Sequence, residues 1–208
     1  MVSLYQVADL HASANKSVYE HQQAATWRGV PMDKCAQDVM VYQELLYAWR
    51  PQVIIETGSW AGGSGLFFAD MCYLYGRGKV LSVDVNPPSP PPAHPLLTFL
   101  GGDSVDVETV RRVKAWADGR TGFVVLDSAH EKAHVLAELD AYSQFVGVGD
   151  YLIVEDTNIN GHPVRPELGP GPAEAVAEWL ARTPEFVVDS QVEPYITFAP
   201  GGYLRRIA

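Results

Sequence analysis

With 208 residues the chain has the length of one domain and can bury a substantial core; 47% is apolar and 19% charged, an ordinary globular balance. A formal charge of -10 excludes a general nucleic-acid binder, because phosphate contacts need clustered Lys and Arg. No basic segment leads into a short apolar one at the start, and no apolar run would span a bilayer, so a cytoplasmic protein without a membrane partner is expected.

Residues 1–50 are rich in Gln, Ala and Tyr. A helical run extends from Asp33 to Trp49, with Val39, Tyr42, Leu45, Leu46 and Trp49 on one stripe, and Trp27-Arg28-Gly29-Val30-Pro31 breaks the segment like a loop. From Pro51 the pattern changes to short apolar runs alternating with amphipathic stretches. Strands are predicted at Val53–Glu56, Lys79–Val85, Leu97–Leu100, Gly122–Leu126 and Tyr151–Val154, with helices at Gly63–Tyr75, Val105–Ala117 and Glu131–Phe145. Continuously apolar strands are buried on both faces, as a parallel sheet between helix layers requires, so the class is α/β. Pro172 opens a last helix, Ala173–Ala181. Phe186–Val188, and Ile196–Phe198 with Tyr203–Leu204, read as a closing antiparallel pair. The proline-rich stretch Asn86–Pro95 is an extended surface loop. Cys35 and Cys72 do not suggest a disulfide framework, and Cys72 falls at a core position.

In a doubly wound sheet, ligands bind beyond the carboxyl ends of the strands. Glu56-Thr57-Gly58-Ser59-Trp60-Ala61-Gly62-Gly63-Ser64 leads from the first strand into a helix. Gly58 and Gly62 permit close approach of a ligand, and the helix N-terminus at Ser64 can orient polar groups. The spacing is not that of dinucleotide binders, and Glu56 repels a pyrophosphate but suits a positively charged cofactor. Asp84 ends the second strand, where a carboxylate can take both ribose hydroxyls of an adenosine. Gly101-Gly102-Asp103-Ser104 follows the third, in reach of the adenine. Each acid alone also reads as a strand-end cap; three in succession beside a Gly-rich turn favour a cofactor site.

The fourth strand runs into Asp127-Ser128-Ala129-His130 and the fifth into Glu155-Asp156-Thr157-Asn158. Side chains alternate along a strand, so Glu155 and Asp156 converge only where the chain leaves the sheet. Clustered carboxylates repel unless protonated or bound to a cation, and an all-oxygen set selects a hard ion such as magnesium. Helix capping by Asp127 and a turn at Asp156 is the competing account. His130 suits a general base, or is a helix-end histidine without chemistry. His94 and His162 lie in loops, as surface residues. His130-Glu131-Lys132-Ala133-His134 also fits the short H-E-x-x-H zinc pattern, against which stands its place just after a buried strand in a chain with a cofactor site.

These motifs, with His134-Val135-Leu136, Gly169-Pro170-Gly171-Pro172, Pro200-Gly201-Gly202-Tyr203-Leu204, Trp27-Arg28-Gly29 and Pro51, resemble the cephalosporin hydroxylase/rhamnosyl O-methyltransferase family from about Trp27 onward. The resemblance implies a class I S-adenosylmethionine (SAM) methyltransferase: a Rossmann-like, doubly wound, mostly parallel seven-stranded sheet with an N-terminal helical segment. Residues 1–50 would form a lid over the substrate and residues 51–208 the SAM-binding part. It implies magnesium on Asp127, Glu155 and Asp156, with His130 and Asp127 catalytic. Glu56, Gly58, Ser64, Asp84, Asp103 and Ser104 would surround the cofactor. The chain is short for the family at its N-terminal end, which implies a reduced lid or one borrowed from a partner subunit in a homo-oligomer. The expected reaction is methyl transfer to a hydroxyl of a sugar or secondary metabolite, with Tyr19, Trp27, Tyr42 and the loop Asn158–Pro172 about the acceptor. A SAM-binding accessory protein and a non-methylating, cyclase-like enzyme are the rival expectations.

Overall fold

The two apolar faces of each central strand set the architecture. In Val53–Thr57 every residue is buried, and Ile54 and Ile55 belong to different hydrophobic clusters on opposite sides of the sheet. The computed structural model describes residues 13, 14, 16, 17, 25–194 and 196–208. Within these, β1 (Ala25–Trp27) and β2 (Val30–Met32) form a separate antiparallel hairpin. β3 (Val53–Thr57), β4 (Val80–Asp84), β5 (Leu97–Gly101), β6 (Gly122–Leu126), β7 (Tyr151–Val154), β8 (Phe186–Val188) and β9 (Tyr203–Arg206) form one sheet in the order β5-β4-β3-β6-β7-β9-β8. Strands β3 to β7 run parallel, and β9 is antiparallel to both β7 and β8.

Helices cover both faces. α1 (Ala36–Trp49) and α2 (Gly63–Tyr75) share a cluster with Ile54, Val80, Phe123 and Ile153. α3 (Val107–Ala117), α4 (Lys132–Tyr142, continued by a 3-10 turn Ser143–Phe145) and α5 (Pro172–Leu180) cover the other face, with Tyr142 and Trp179 fully buried. None of the helices in the described residues is long and apolar enough to cross a membrane. The strand order reverses around β3, whose neighbours are β4 and β6. Such a reversal opens a crevice at the carboxyl ends of the strands, and the site follows from it.

Three expectations need correction. Residues 27–31 form a hairpin, not a loop: Arg28 and Gly29 both take positive φ (51° and 80°), as a two-residue turn that matches strand twist requires. The helix starts at Ala36, and its buried stripe is Asp38, Val41, Tyr42, Leu45 and Leu46, with Trp49 exposed. Ile196–Phe198 forms no strand. Its polar groups are committed to Asp38, a buried carboxylate that accepts from the Thr197 and Tyr203 hydroxyls and from Phe198 N–H at 2.9 Å. Burial pushes the Asp38 carboxyl upward against these hydrogen bonds. Only Tyr203–Arg206 pairs with Phe186–Val188.

Candidate active site

The turn after β3 is shaped by contact with β6. Gly58 has φ +88°, and a Cβ there would lie 1.8 Å from the Asp127 carbonyl oxygen, so no other residue fits. Gly63, at the start of α2, is pressed by the hairpin: a Cβ would lie 2.3 Å from the Pro31 carbonyl oxygen. Asp84 fixes the same turn from β4, accepting from the N–H groups of Ser59 (2.7 Å) and Trp60 (3.1 Å) on one oxygen and of Asn86 (2.7 Å) on the other.

Beyond these strand ends lies a cavity of about 480 Å³. Gly58, Asp84, Asp103, Ser104 and Asp127 line it together, as does His134. This is within the range of about 300–1,000 Å³ usual for cofactor sites. Two of the expected cofactor residues sit elsewhere. Glu56 is fully buried beneath the turn, where its Oε2 accepts from the Ser82 hydroxyl at 2.6 Å. Burial pushes the Glu56 carboxyl upward, although Lys34, Ser64 and Ser82 pull it back. Ser64 borders a smaller cavity of about 30 Å³ with Lys34, Gly58, Ser59 and Asp127.

The acid nest adjoins the cavity at Asp127. Glu155 and Asp156 diverge even though the chain leaves the sheet after Val154, with Asp156 at φ 53°. Asp156 turns toward His130, whose Nε2 lies 3.0 Å from Asp156 Oδ2 and 3.6 Å from Asp127 Oδ1. Ligand atoms of Asp127, His130 and Asp156 all fall within 4.8 Å of one another, close enough that they could hold one ion. His130 Nε2 is buried and meets hydrogen-bond geometry with neither carboxylate. Glu155 turns the other way: its Oε1 accepts from the Tyr42 hydroxyl at 2.6 Å and pairs with the Lys34 ammonium at 2.7 Å. Lys34 also donates to Asp127 Oδ2. Burial alone would push the ammonium of Lys34 down in pKa, but Asp127, Glu155 and Glu56 outweigh it and hold it well above the lysine range.

Burial also works against a charged His130, yet the Asp127 and Asp156 carboxylates prevail and push its pKa up to about 10. A folded-state value above the unfolded imidazole's (about 6.5) makes a stabilising contribution that is complete below that value and lost as the pH rises through the folded one. Metal-free protein is therefore expected to lose thermal stability between about pH 7 and pH 10. In His130→Gln this loss should shrink; melting curves in EDTA across that range measure it. Equal losses in both proteins would assign the decline to other groups.

Lys34 was not among the site residues read from sequence; Tyr42 was expected only about the acceptor, and His134 only in the zinc-like pattern. The two histidines of the zinc-like pattern do not share a helix face, since α4 begins at Lys132. His134 Nε2 lies 3.0 Å from the Ser104 hydroxyl and 3.2 Å from that of Ser128, on the cofactor cavity wall. Trp27 packs edge-on against Phe67 and donates its indole N–H to Asp70, and Tyr42 is buried, so both serve the fold. Tyr19 lies outside the described residues. His94 is a buried ring, not a surface residue: its side chain is 7% exposed, with Nε2 3.4 Å from Asp70. His162 pairs with Glu174 at 2.7 Å.

A doubly wound sheet with a glycine turn after one strand, an acid ending the next and a cavity between them has the layout of a nucleotide-type cofactor site, as in a class I SAM-dependent methyltransferase. The family model described as Rhamnosyl O-methyltransferase/CmcI matches residues 19–207, and the chain belongs to that family. It is a SAM-dependent O-methyltransferase. Rhamnosyl O-methyltransferase of Mycobacterium leprae is 40% identical over 190 residues, covering 87% of this chain and 82% of the relative. That of Mycobacterium tuberculosis is 38% identical over 191 residues, covering 87% and 78%. Among solved structures, CmcI with magnesium and SAM superposes with a TM-score of 0.67 at 22% identity over 92% of this chain and 84% of that one. MycE from the mycinamycin pathway, with magnesium, S-adenosylhomocysteine and mycinamycin VI, gives 0.52 at 20% identity over 69% and 40%. At these identities the superpositions speak for the fold.

Proposed function

We propose that this enzyme is a magnesium-dependent, cytoplasmic O-methyltransferase whose acceptor is a hydroxyl of a small glycoside, rhamnosyl first. The observation that carries the metal is the approach of the Asp127 and Asp156 carboxylates, with His130 between them, beside the cofactor cavity. Paired carboxylates are hard oxygen donors of the kind that suit a divalent ion such as magnesium. The acceptor class rests on the mycobacterial relatives, which bear the name rhamnosyl O-methyltransferase.

Bound SAM supplies the methyl group, and a divalent ion supplies positive charge for the acceptor oxygen. The remaining work falls to side chains of this chain. Asp127 and Asp156 would hold the ion, while Glu155, the third expected ligand, is engaged by Lys34 and Tyr42. Asp84 and the Gly58 turn seat the adenosyl group, with Asp103, Ser104 and His134 at its far end. His130, with Nε2 3.0 Å from Asp156 and 3.6 Å from Asp127, is the group placed to take the acceptor's proton. The β1–β2 hairpin and Lys34 after it border the acceptor side, a reading supported by the hairpin's contact with α2 and by Lys34 reaching Asp127 and Glu155.

The test is turnover of SAM with a rhamnosyl phenyl glycoside, read by mass spectrometry of the methyl ether. Activity should vanish in EDTA and return with added magnesium. Turnover that survives both EDTA and Asp156→Ala removes the metal from this account. Methylation of phenolic or polyketide acceptors but of no glycoside would move the substrate class.

A further inference from the structure

Lys34 is the most deeply placed cation of the site, and the reaction as described gives it no task. Its side chain is 3% exposed, and it stands between Asp127 and Glu155. The fold holds it there from two sides. The β1–β2 hairpin delivers the chain onto the N-terminal turn of α2, and Lys34 follows β2 two residues after Met32, just before α1. Tyr42, one turn and a half into α1, donates to the same Glu155 oxygen that pairs with Lys34.

The two oxygens of Asp127 face different cations: Oδ2 faces Lys34, and Oδ1 faces His130 and the nest. Glu155, expected from sequence to complete the oxygen set, is instead spent on Lys34 and Tyr42. We infer that Lys34 is a tethered competitor of the divalent ion, drawing on the charge of Asp127 and keeping Glu155 from the ion's shell, so that the ion is held loosely and exchanges. The inference rests on the metal reading proposed above. Two effects oppose each other here. As an orienting partner of Asp127, Lys34 strengthens the site, and such outer partners typically change metal affinity by about 10- to 100-fold. As a fixed positive charge within one carboxylate of a dication it weakens the site, and the Coulomb term, doubled by the ion's charge and little screened by water, is the larger.

The measurement is manganese binding to the full chain, by calorimetry and by the signal of free Mn²⁺ in electron paramagnetic resonance, for wild type and Lys34→Met. The variant is expected to bind Mn²⁺ at least about tenfold more tightly, and to gain more thermal stability from it than wild type does. Lys34→Arg, which keeps the charge, should stay near wild type. Unchanged or weaker binding by Lys34→Met overturns the inference while leaving the metal reading intact. If neither protein binds Mn²⁺, both fall. If only the variant binds, Lys34 excludes the ion outright, which overturns a loosely held, exchanging ion and with it the metal reading of the wild type. Lys34→Gln guards against misfolding, since it retains a donor for the carboxylates. A variant that folds only with Mn²⁺ supplied supports the inference, because the ion then does what the ammonium did. Failure of both neutral variants to fold under either condition overturns it.

Discussion

Asp127→Asn is expected to leave a folded protein that still binds S-adenosylhomocysteine but methylates its acceptor about 100- to 1,000-fold more slowly, the usual cost of removing one electrostatic group aimed at a reacting oxygen. The change is nearly isosteric, and Asp127 N–H, bonded to the Thr57 carbonyl at 3.0 Å, is a backbone contact that the substitution does not touch. The carboxylate itself serves three neighbours: Lys34, His130 and, on the proposed reading, the ion. An amide keeps the oxygen for Lys34 but loses the charge that binds a cation and raises His130. Burial alone would push Asp127 upward, yet Lys34 and His130 hold it below the usual carboxylate range, so the group is a fixed anion at neutral pH. Loss of turnover should therefore come with loss of Mn²⁺ binding, both measurable on the same sample. Retained turnover would place the chemistry away from this nest.

The parts of this site that sequence exposes are those where a strand ends in an acid. β6 and β7 are continuously apolar and stop abruptly at Asp127 and Glu155, so their limits match the observed elements without adjustment. Glu56 misleads because β3 runs one residue further, through Thr57, leaving Glu56 inside the sheet and beneath the turn. The convergence of Asp127 with Asp156, which is expected from the sequence, depends on a left-handed residue at 156, a conformation that aspartate adopts more readily than most residues. Lys34 left no trace at all: it is a lone cation before a helix, brought into the nest by a hairpin that itself looked like a loop. Asp38 escaped notice for a related reason, since periodicity counts apolar residues and a buried acid on the stripe registers as an interruption. Ile196–Phe198 shows the opposite failure, where a short apolar run fits a strand or a packed loop equally well.

Asp84→Ala is expected to weaken S-adenosylhomocysteine binding by roughly 10- to 150-fold, the equivalent of one charge-assisted hydrogen bond worth about 1.5–3 kcal/mol. The sequence suggests that this carboxylate takes both ribose hydroxyls, which would double the loss. The geometry argues for the smaller figure. A carboxylate has about four acceptor positions, and backbone N–H groups of Ser59, Trp60 and Asn86 already occupy three. One position on Oδ1 remains for a ribose hydroxyl. Trp60 and Asn86 are exposed, so water replaces the lost acceptor at their amides; the buried Ser59 amide alone bears a cost, and the folded state should survive with a lowered melting point. Calorimetric titration of the variant with S-adenosylhomocysteine, beside a melting curve of the free protein, separates the contributions. A loss well beyond 150-fold with no further fall in melting would mean that the turn releases one of its amides when the ribose arrives. A loss of less than about threefold would remove Asp84 from the cofactor site, and with it the assignment of the cavity to an adenosyl group.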